Sequence, residues 1–258
     1  MPASYKISFV GAGNVAWNLA PAFENAGIKV EEIYSRNKDH AQNLTHRLYD
    51  AIALDCPDFS SSKSDVIVIA VPDDYISEVV AQLQVPDHSI VVHTSGTAPL
   101  EVLDGIKQFG VMYPLQTFSK SKAVQLDNVP FFLEGSDEQV YELIEILVSA
   151  VSKHIYRASS ADRLSLHVAA VFACNFTNHL YGISDNILKQ ANLPFDVLKP
   201  LIAETMEKAF LLSPAEAQTG PAVRKDVKTL EKHLSYLSGQ PALKDLYKIL
   251  TKRLLRKE

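Results

Sequence analysis

The chain has 258 residues, 47% of them hydrophobic and 21% charged, with a formal net charge of −5; that length suggests about two globular domains. An acidic balance without a basic block argues against nucleic acid as the main partner, because neutralising phosphates takes clustered Lys and Arg. Two distant cysteines, Cys56 and Cys174, argue against a disulfide frame or zinc site; no run is long and apolar enough for a membrane span, and with no apolar leader before the first strand the expected compartment is the cytoplasm.

The segment Tyr5-Lys6-Ile7-Ser8-Phe9-Val10 reads as a strand that runs into Gly11-Ala12-Gly13-Asn14-Val15-Ala16. That is G-x-G-x-x-A at the mouth of a helix. Gly11 permits the tight turn, Gly13 lets a pyrophosphate approach bare backbone, and Ala16 allows close helix–strand packing. The phosphates would sit on free N–H groups at the positive end of the helix, so Gly11, Ala12, Gly13, Asn14 and Val15 are assigned to cofactor binding. The helix itself is expected over Asn14–Asn25, with Gly27 as terminator.

Lys29–Tyr34 reads as a second strand, Lys38–Tyr49 as a helix and Ala51–Leu54 as a short third strand. An NAD-binding domain ends its second strand in a carboxylate that holds the ribose hydroxyls. Glu31 and Glu32 fall too early, and the strand ends in Ser35-Arg36-Asn37. A hydroxyl, a guanidinium and an amide suit the 2′-phosphate of NADP, which is favoured over NAD. Ser35 or Asn37 can also simply cap the helix that begins at Lys38, and both uses are compatible.

The β-branched run Asp65–Val71 implies a strand buried on both faces, as in a parallel sheet between helices. A helix over Ile76–Leu83 follows, then strands at Ser89–His93, Val111-Met112 and Pro130–Leu133, a helix over Asp137–Val151 and a strand at His154–Tyr156. Strands alternating with helices make a doubly wound Rossmann-type α/β domain over residues 1–158. Ligands in such sheets bind outside the carboxyl ends of the strands. Val71 and Pro72 end one strand, and His93-Thr94-Ser95-Gly96 ends the next. Val71, Pro72, Thr94, Ser95 and Gly96 therefore join the cofactor set. His93 is either a catalytic group or a loop histidine satisfied within the fold.

From residue 159 to 258 the pattern is all helical. Helices are expected over Asp162–Leu188, Phe195–Leu212, Ala222–Leu237 and Ala242–Leu254, punctuated by Leu193-Pro194, Ser213-Pro214 and Gly239-Gln240-Pro241. On the first, His167, Val171, Asn175 and His179 follow i, i+4 spacing, a polar stripe on an apolar helix. Asp226, Thr229 and His233 share one face of the third. With Arg224 they could bind a small anion or tie two helices together. The final basic run, Lys252 to Lys257, fits a solvated helix end against the C-terminal dipole.

The glycine turn, the Ala-Val-Pro strand end, the His-Thr-Ser-Gly turn and the helical half together resemble the NADP oxidoreductases grouped with deazaflavin-dependent NADP reductases and pyrroline-5-carboxylate reductase. The stretch His167–Phe176, and Thr219-Gly220-Pro221-Ala222 through Arg224, Asp226, Thr229 and His233-Leu234, are more closely similar to bacterial Rossmann-like proteins carrying a helical C-terminal domain. The resemblance implies NADP(H) as cofactor, a small carbonyl or imine compound as substrate, and a homodimer. Related β-hydroxyacid dehydrogenases use a lysine and a downstream asparagine on the equivalent helix. Here no lysine precedes Lys189, so His167 takes the proton-donor role with Asn175 orienting substrate, and His93 is the other candidate donor. The opposing structural reading has His167 and Asn175 satisfying each other or a backbone group. A second function, an NADP(H)-binding sensor without turnover, also fits the missing lysine.

Overall fold

A computed structural model describes residues 5–255, so Arg256 and Lys257 of the basic run lie outside the described residues. Contacts divide the chain into two compact units, one running to His179 and the other starting at Leu180.

The first unit is an α/β sheet of eight strands: β1 (Lys6–Val10), β2 (Lys29–Tyr34), β3 (Ile52–Leu54), β4 (Val66–Ile69), β5 (Ile90–His93), β6 (Phe109–Pro114), β7 (Phe131–Gly135) and β8 (Ile155–Arg157). Their spatial order is β3-β2-β1-β4-β5-β6-β7-β8. The order reverses between β1 and β4, which creates the crevice where ligands of such sheets bind. All neighbours are parallel except β6 and β7, which are antiparallel. No helix crosses over between those two strands, so the chain returns on the same edge instead of winding round.

Alternation along the strands makes two faces. Ile7, Phe9, Val66, Val68 and Val92 pack with Leu19 and Phe23 of α1 (Asn14–Asn25) and Leu44 of α2 (Lys38–Thr45). Ile144 and Leu147 of α4 (Glu138–Ser149) cover the same face. Val10, Ile67, Ile69 and Val91 face the other way, against Ile76 and Leu83 at the two ends of α3 (Ile76–Gln82). The four residues of β4 are buried on both sides, as their unbroken Val-Ile pattern requires.

The predicted helix over 162–188 begins at Ser159, whose side chain forms a reciprocal capping box with Asp162. It runs as α5 (Ser160–Ala170), a π-helical stretch over Val171–Phe176, and α6 (Thr177–Gln190). In the second unit, the helix expected from Phe195 is a 3-10 turn over Phe195–Leu198 followed by α7 (Lys199–Leu211). The helix expected from Ala222 starts five residues later as α8 (Val227–Tyr236), because Asp226 caps it and accepts from the Thr229 N–H at 3.1 Å. The last helix is α9 (Pro241–Leu255). His233 Nδ1 of α8 meets the Tyr247 hydroxyl of α9 at 2.7 Å. Asp226, Thr229 and His233 thus serve capping and helix pairing.

Candidate cofactor cleft and proton site

A cleft of about 670 Å³ opens at the carboxyl ends of β1, β2 and β4. Gly11, Ala12, Gly13, Ser35, Arg36, Asn37, Val71 and Pro72 all line it, together with His40, Tyr75 and Glu78. Asn14 and Val15 form the first turn of α1 behind it. Gly11 has φ of +107°, and a Cβ there would meet the Ala70 carbonyl oxygen at 2.4 Å. Its N–H donates to the Tyr34 carbonyl at 2.7 Å, which bends the chain from β1 across the end of β2. Gly13 differs: an added Cβ would come no closer than 3.9 Å to the protein. Its missing side chain leaves space in the cleft and not in the core.

Gly13 is also the N-cap of α1 and offers no side chain to the free N–H groups of the first turn. These donors, with the helix dipole, form a seat for a phosphate. Also in the lining, the Arg36 guanidinium lies 4.7 Å from the Tyr75 ring centre. Asn37 Oδ1 accepts from the Asp39 N–H at 3.0 Å, so it caps α2 while lining the cleft. The carboxylates of β2 point elsewhere. Glu32 accepts from Ser8 and Ser62 at 2.9 and 2.5 Å. Glu31 pairs with Lys6 and Lys29, which hold its carboxyl below the usual range against the opposing effect of burial. The residues present therefore fit an adenine dinucleotide carrying a ribose phosphate, with the phosphate-seating glycine and the guanidinium in the lining of one cleft.

The turn after β5 lies outside that cleft lining. His93 is fully buried, and its Nδ1 accepts from the Ser95 N–H at 3.2 Å. Burial and the nearby Arg163 charge bring its pKa down to about 4, against smaller opposing effects of the Pro99 carbonyl and Asp73. Ser95 Oγ accepts from the N–H groups of Thr97 and Ala98 at 3.0 and 2.9 Å. Thr94 Oγ1 reaches the Ile69 carbonyl at 3.4 Å. Thr94, Ser95 and the Nδ1 of His93 thus serve the shape of the turn, while the buried Nε2 of His93 has no hydrogen-bond partner among the described residues.

Arg163 of α5, which the sequence pattern does not single out, anchors that turn. Its side chain is fully buried. Nη1 donates to the Ser95 and Ala98 carbonyls, both at 2.9 Å, and Nη2 to Glu134 at 2.9 Å and Ser160 at 3.0 Å. One turn further along α5, His167 is half-buried, and its Nδ1 lies 3.2 Å from the hydroxyl of Tyr113 on β6. The residue that satisfies His167 is therefore Tyr113, 54 positions away in sequence, and not Asn175. Asn175 is exposed in the π-helical stretch. It lies eight positions along the helix from His167, roughly 12 Å of rise, so the two cannot grip one atom of a small ligand. Tyr113 follows directly on the strand expected at Val111-Met112, but a lone tyrosine there carries no spacing signal of its own.

Residues 1–118 match the family model of a Rossmann-like domain, and residues 129–254 match that of a domain of unknown function, DUF2520. The crystal structure of a Bacteroides fragilis protein, described as a candidate NADP oxidoreductase, is similar at 36% identity and a TM-score of 0.88, with 98% of each chain covered. A Thermotoga maritima protein is similar at 24% identity and a TM-score of 0.75, over 97% of this chain and 100% of its own. A reductive aminase from Aspergillus terreus, in complex with NADPH and ethyl-5-oxohexanoate, shares 12% identity at a TM-score of 0.71, over 97% of this chain and 95% of its own. The last two show the fold alone. No curated protein sequence matches the chain.

Proposed function

Because this chain belongs to the same family as the Bacteroides fragilis protein, a Rossmann-like domain followed by the DUF2520 region, we propose that it is an NADP-dependent oxidoreductase acting on a small carbonyl or imine compound. The observation that carries this reading is the cleft that joins an uncapped glycine turn at the start of α1 to Arg36 at the end of β2. When bound, NADPH supplies a hydride at its nicotinamide ring.

The chain's own residues do the rest. The N–H groups after Gly13 hold the pyrophosphate, and Arg36, beside Ser35 and Asn37, holds the 2′-phosphate by a charge-assisted contact. In this reading the nicotinamide end lies toward Pro72 and the Ser95–Gly96 turn, which Arg163 fixes to α5. His167 is the proton source, since His93 is buried, neutral above about pH 4 and committed to the Ser95 N–H. Asn175 takes the distal end of the substrate. The sensor reading rests on the missing lysine, and the Tyr113–His167 hydrogen bond supports turnover by offering an acid–base pair in its place.

The test is a fluorescence titration with NADPH and NADH. Binding of NADPH should exceed that of NADH, and Arg36→Glu should weaken NADPH by roughly tenfold or more, the scale of one charged hydrogen bond, while changing NADH little. No thermal or fluorescence response at millimolar NADPH would sink the reading.

We also infer that the functional unit is a homodimer. Among the described residues from Leu180 on, Ala222 and Leu237 are the only buried hydrophobic side chains. Phe210 and Leu211 of α7 are 81% and 74% exposed, an apolar surface that a second copy would cover.

A further inference from the structure

We propose that the phenol of Tyr113 is the group that gives its proton to the substrate, and that His167 is the relay that refills it. This rests on the oxidoreductase reading and extends it to the atom that meets the reacting oxygen or nitrogen.

Tyr113 is 8% exposed and sits one residue before the end of β6, beside the turn that follows β5. Its hydroxyl has one hydrogen-bond partner among the described residues, His167 Nδ1 at 3.2 Å. The imidazole is the more exposed member of the pair, and its Nε2 makes no hydrogen bond within the described residues. One nitrogen therefore serves the tyrosine and the other is left for exchange with water.

The packing around the pair is specific to it. A Cβ placed on Gly96 would lie 2.7 Å from Tyr113 Cζ, 2.9 Å from its hydroxyl oxygen and 3.0 Å from His167 Nδ1. The turn thus presses bare backbone against the hydrogen bond, and any side chain at position 96 would push the two rings apart. Arg163 then ties the same turn to the helix that carries His167. Three elements, β6, the turn and α5, converge on one hydrogen bond that the folded core does not need. Burial and the Asp73 charge raise the Tyr113 pKa above that of a free phenol, with Arg163 opposing, so the group holds its proton through the neutral range.

During reduction of a carbonyl the carbon receives the hydride, NADPH is oxidised to NADP⁺, and the π pair moves onto oxygen. That oxygen takes the Tyr113 proton. The tyrosine oxygen takes the Nδ1 proton of His167, and the imidazole regains one at Nε2 from water. The net change is one hydride and one solvent proton added across the double bond. An imine follows the same path with nitrogen as the proton acceptor.

The experiment uses the full-length protein, a panel of ketones and imines with NADPH, and ring-nitrogen NMR of histidine-labelled protein. Tyr113→Phe should move the His167 Nδ1 resonance, leave the NADPH dissociation constant within about twofold, and lower kcat by roughly 10²-fold or more, the usual reach of a positioned acid. Gly96→Ala should move the His167 Nδ1 resonance and lower kcat as well, with both rings left in place. The solvent-isotope proton inventory should be curved in the wild type, for two protons in flight, and linear in His167→Gln. A His167 resonance unmoved by Tyr113→Phe, or kcat retained within about threefold, would overturn the assignment while leaving the oxidoreductase reading intact. A wild type that binds no NADPH, or reduces nothing in the panel, overturns that reading and the proton assignment with it.

Discussion

Two glycines in one turn answer to different masters, and substitution separates them. Gly11→Ala sets a Cβ 2.4 Å from the Ala70 carbonyl oxygen in a backbone conformation that side chains avoid, at about 1–3 kcal/mol for the strained dihedral alone. Urea denaturation should show that loss, and NADPH binding should go with it. Gly13→Ala meets nothing within the protein closer than 3.9 Å, so its urea midpoint should stay close to wild type. Its NADPH affinity should nevertheless fall, because the methyl group occupies the approach to the helix end. Equal losses of stability in both variants would contradict this division. His93 makes a third residue-scale case. Its pKa falls from the ordinary imidazole value of 6.5 to about 4 on folding. Below pH 6.5 the unfolded chain takes up a proton that the folded one refuses. The contribution is therefore full above pH 6.5 and is lost as pH falls toward 4, by up to about 3 kcal/mol. His93→Asn keeps an acceptor for the Ser95 N–H without a titrating ring, and should flatten the stability profile across that window.

At the scale of elements, the strongest sequence signals were those with a strict physical cause. Unbroken β-branched residues at β4 demand burial on both faces, and the Gly11 turn demands a left-handed backbone, so the Rossmann-type half was legible. The antiparallel return of β7 was not, since strand direction leaves no trace in the composition of a short buried segment. Nor was the π-helical stretch, whose residues keep ordinary helical periodicity while the backbone hydrogen-bond ladder shifts by one residue. The cleft residues Ser35–Asn37 were found because they stand at a strand end. Tyr113 and Arg163 were missed because their partners are distant in sequence. Arg163 carries the sharpest prediction at this scale. It is fully buried and supplies donors to two carbonyls, a hydroxyl and the Glu134 carboxylate. Arg163→Leu leaves those carbonyls without their donor and Glu134 without its counter-charge, held among the described residues only by the Ser160 N–H and hydroxyl, and should cost about 3–5 kcal/mol. Paired substitution with Glu134→Leu should recover part of the loss in urea melts, since it removes the stranded charge.

The whole molecule divides its apolar residues unevenly. The first unit buries a two-faced sheet core, whereas the described residues from Leu180 on bury only Ala222 and Leu237 among their hydrophobic side chains. Met206, Phe210, Leu211, Tyr236 and Ile249 are more than half exposed. Side chains of this size contribute roughly 1.5–3 kcal/mol each when removed from water. A unit that leaves them exposed lacks the burial that normally offsets the entropy of folding. Closure by a second copy, as proposed, would repair this deficit, because a two-fold operator would set each apolar helix face against another of the same chemistry. Light scattering should therefore give a mass near twice the 28.5 kDa of one chain, and the melting temperature should rise with protein concentration, as mass action requires. Phe210→Asp with Leu211→Asp should shift the mass toward the monomer and lower the melting temperature. Each side chain is already at least 74% exposed within one chain, so a polar replacement costs an isolated chain little. A wild type of monomer mass, melting at the same temperature over a hundredfold range of concentration, would mean that these faces answer to another partner.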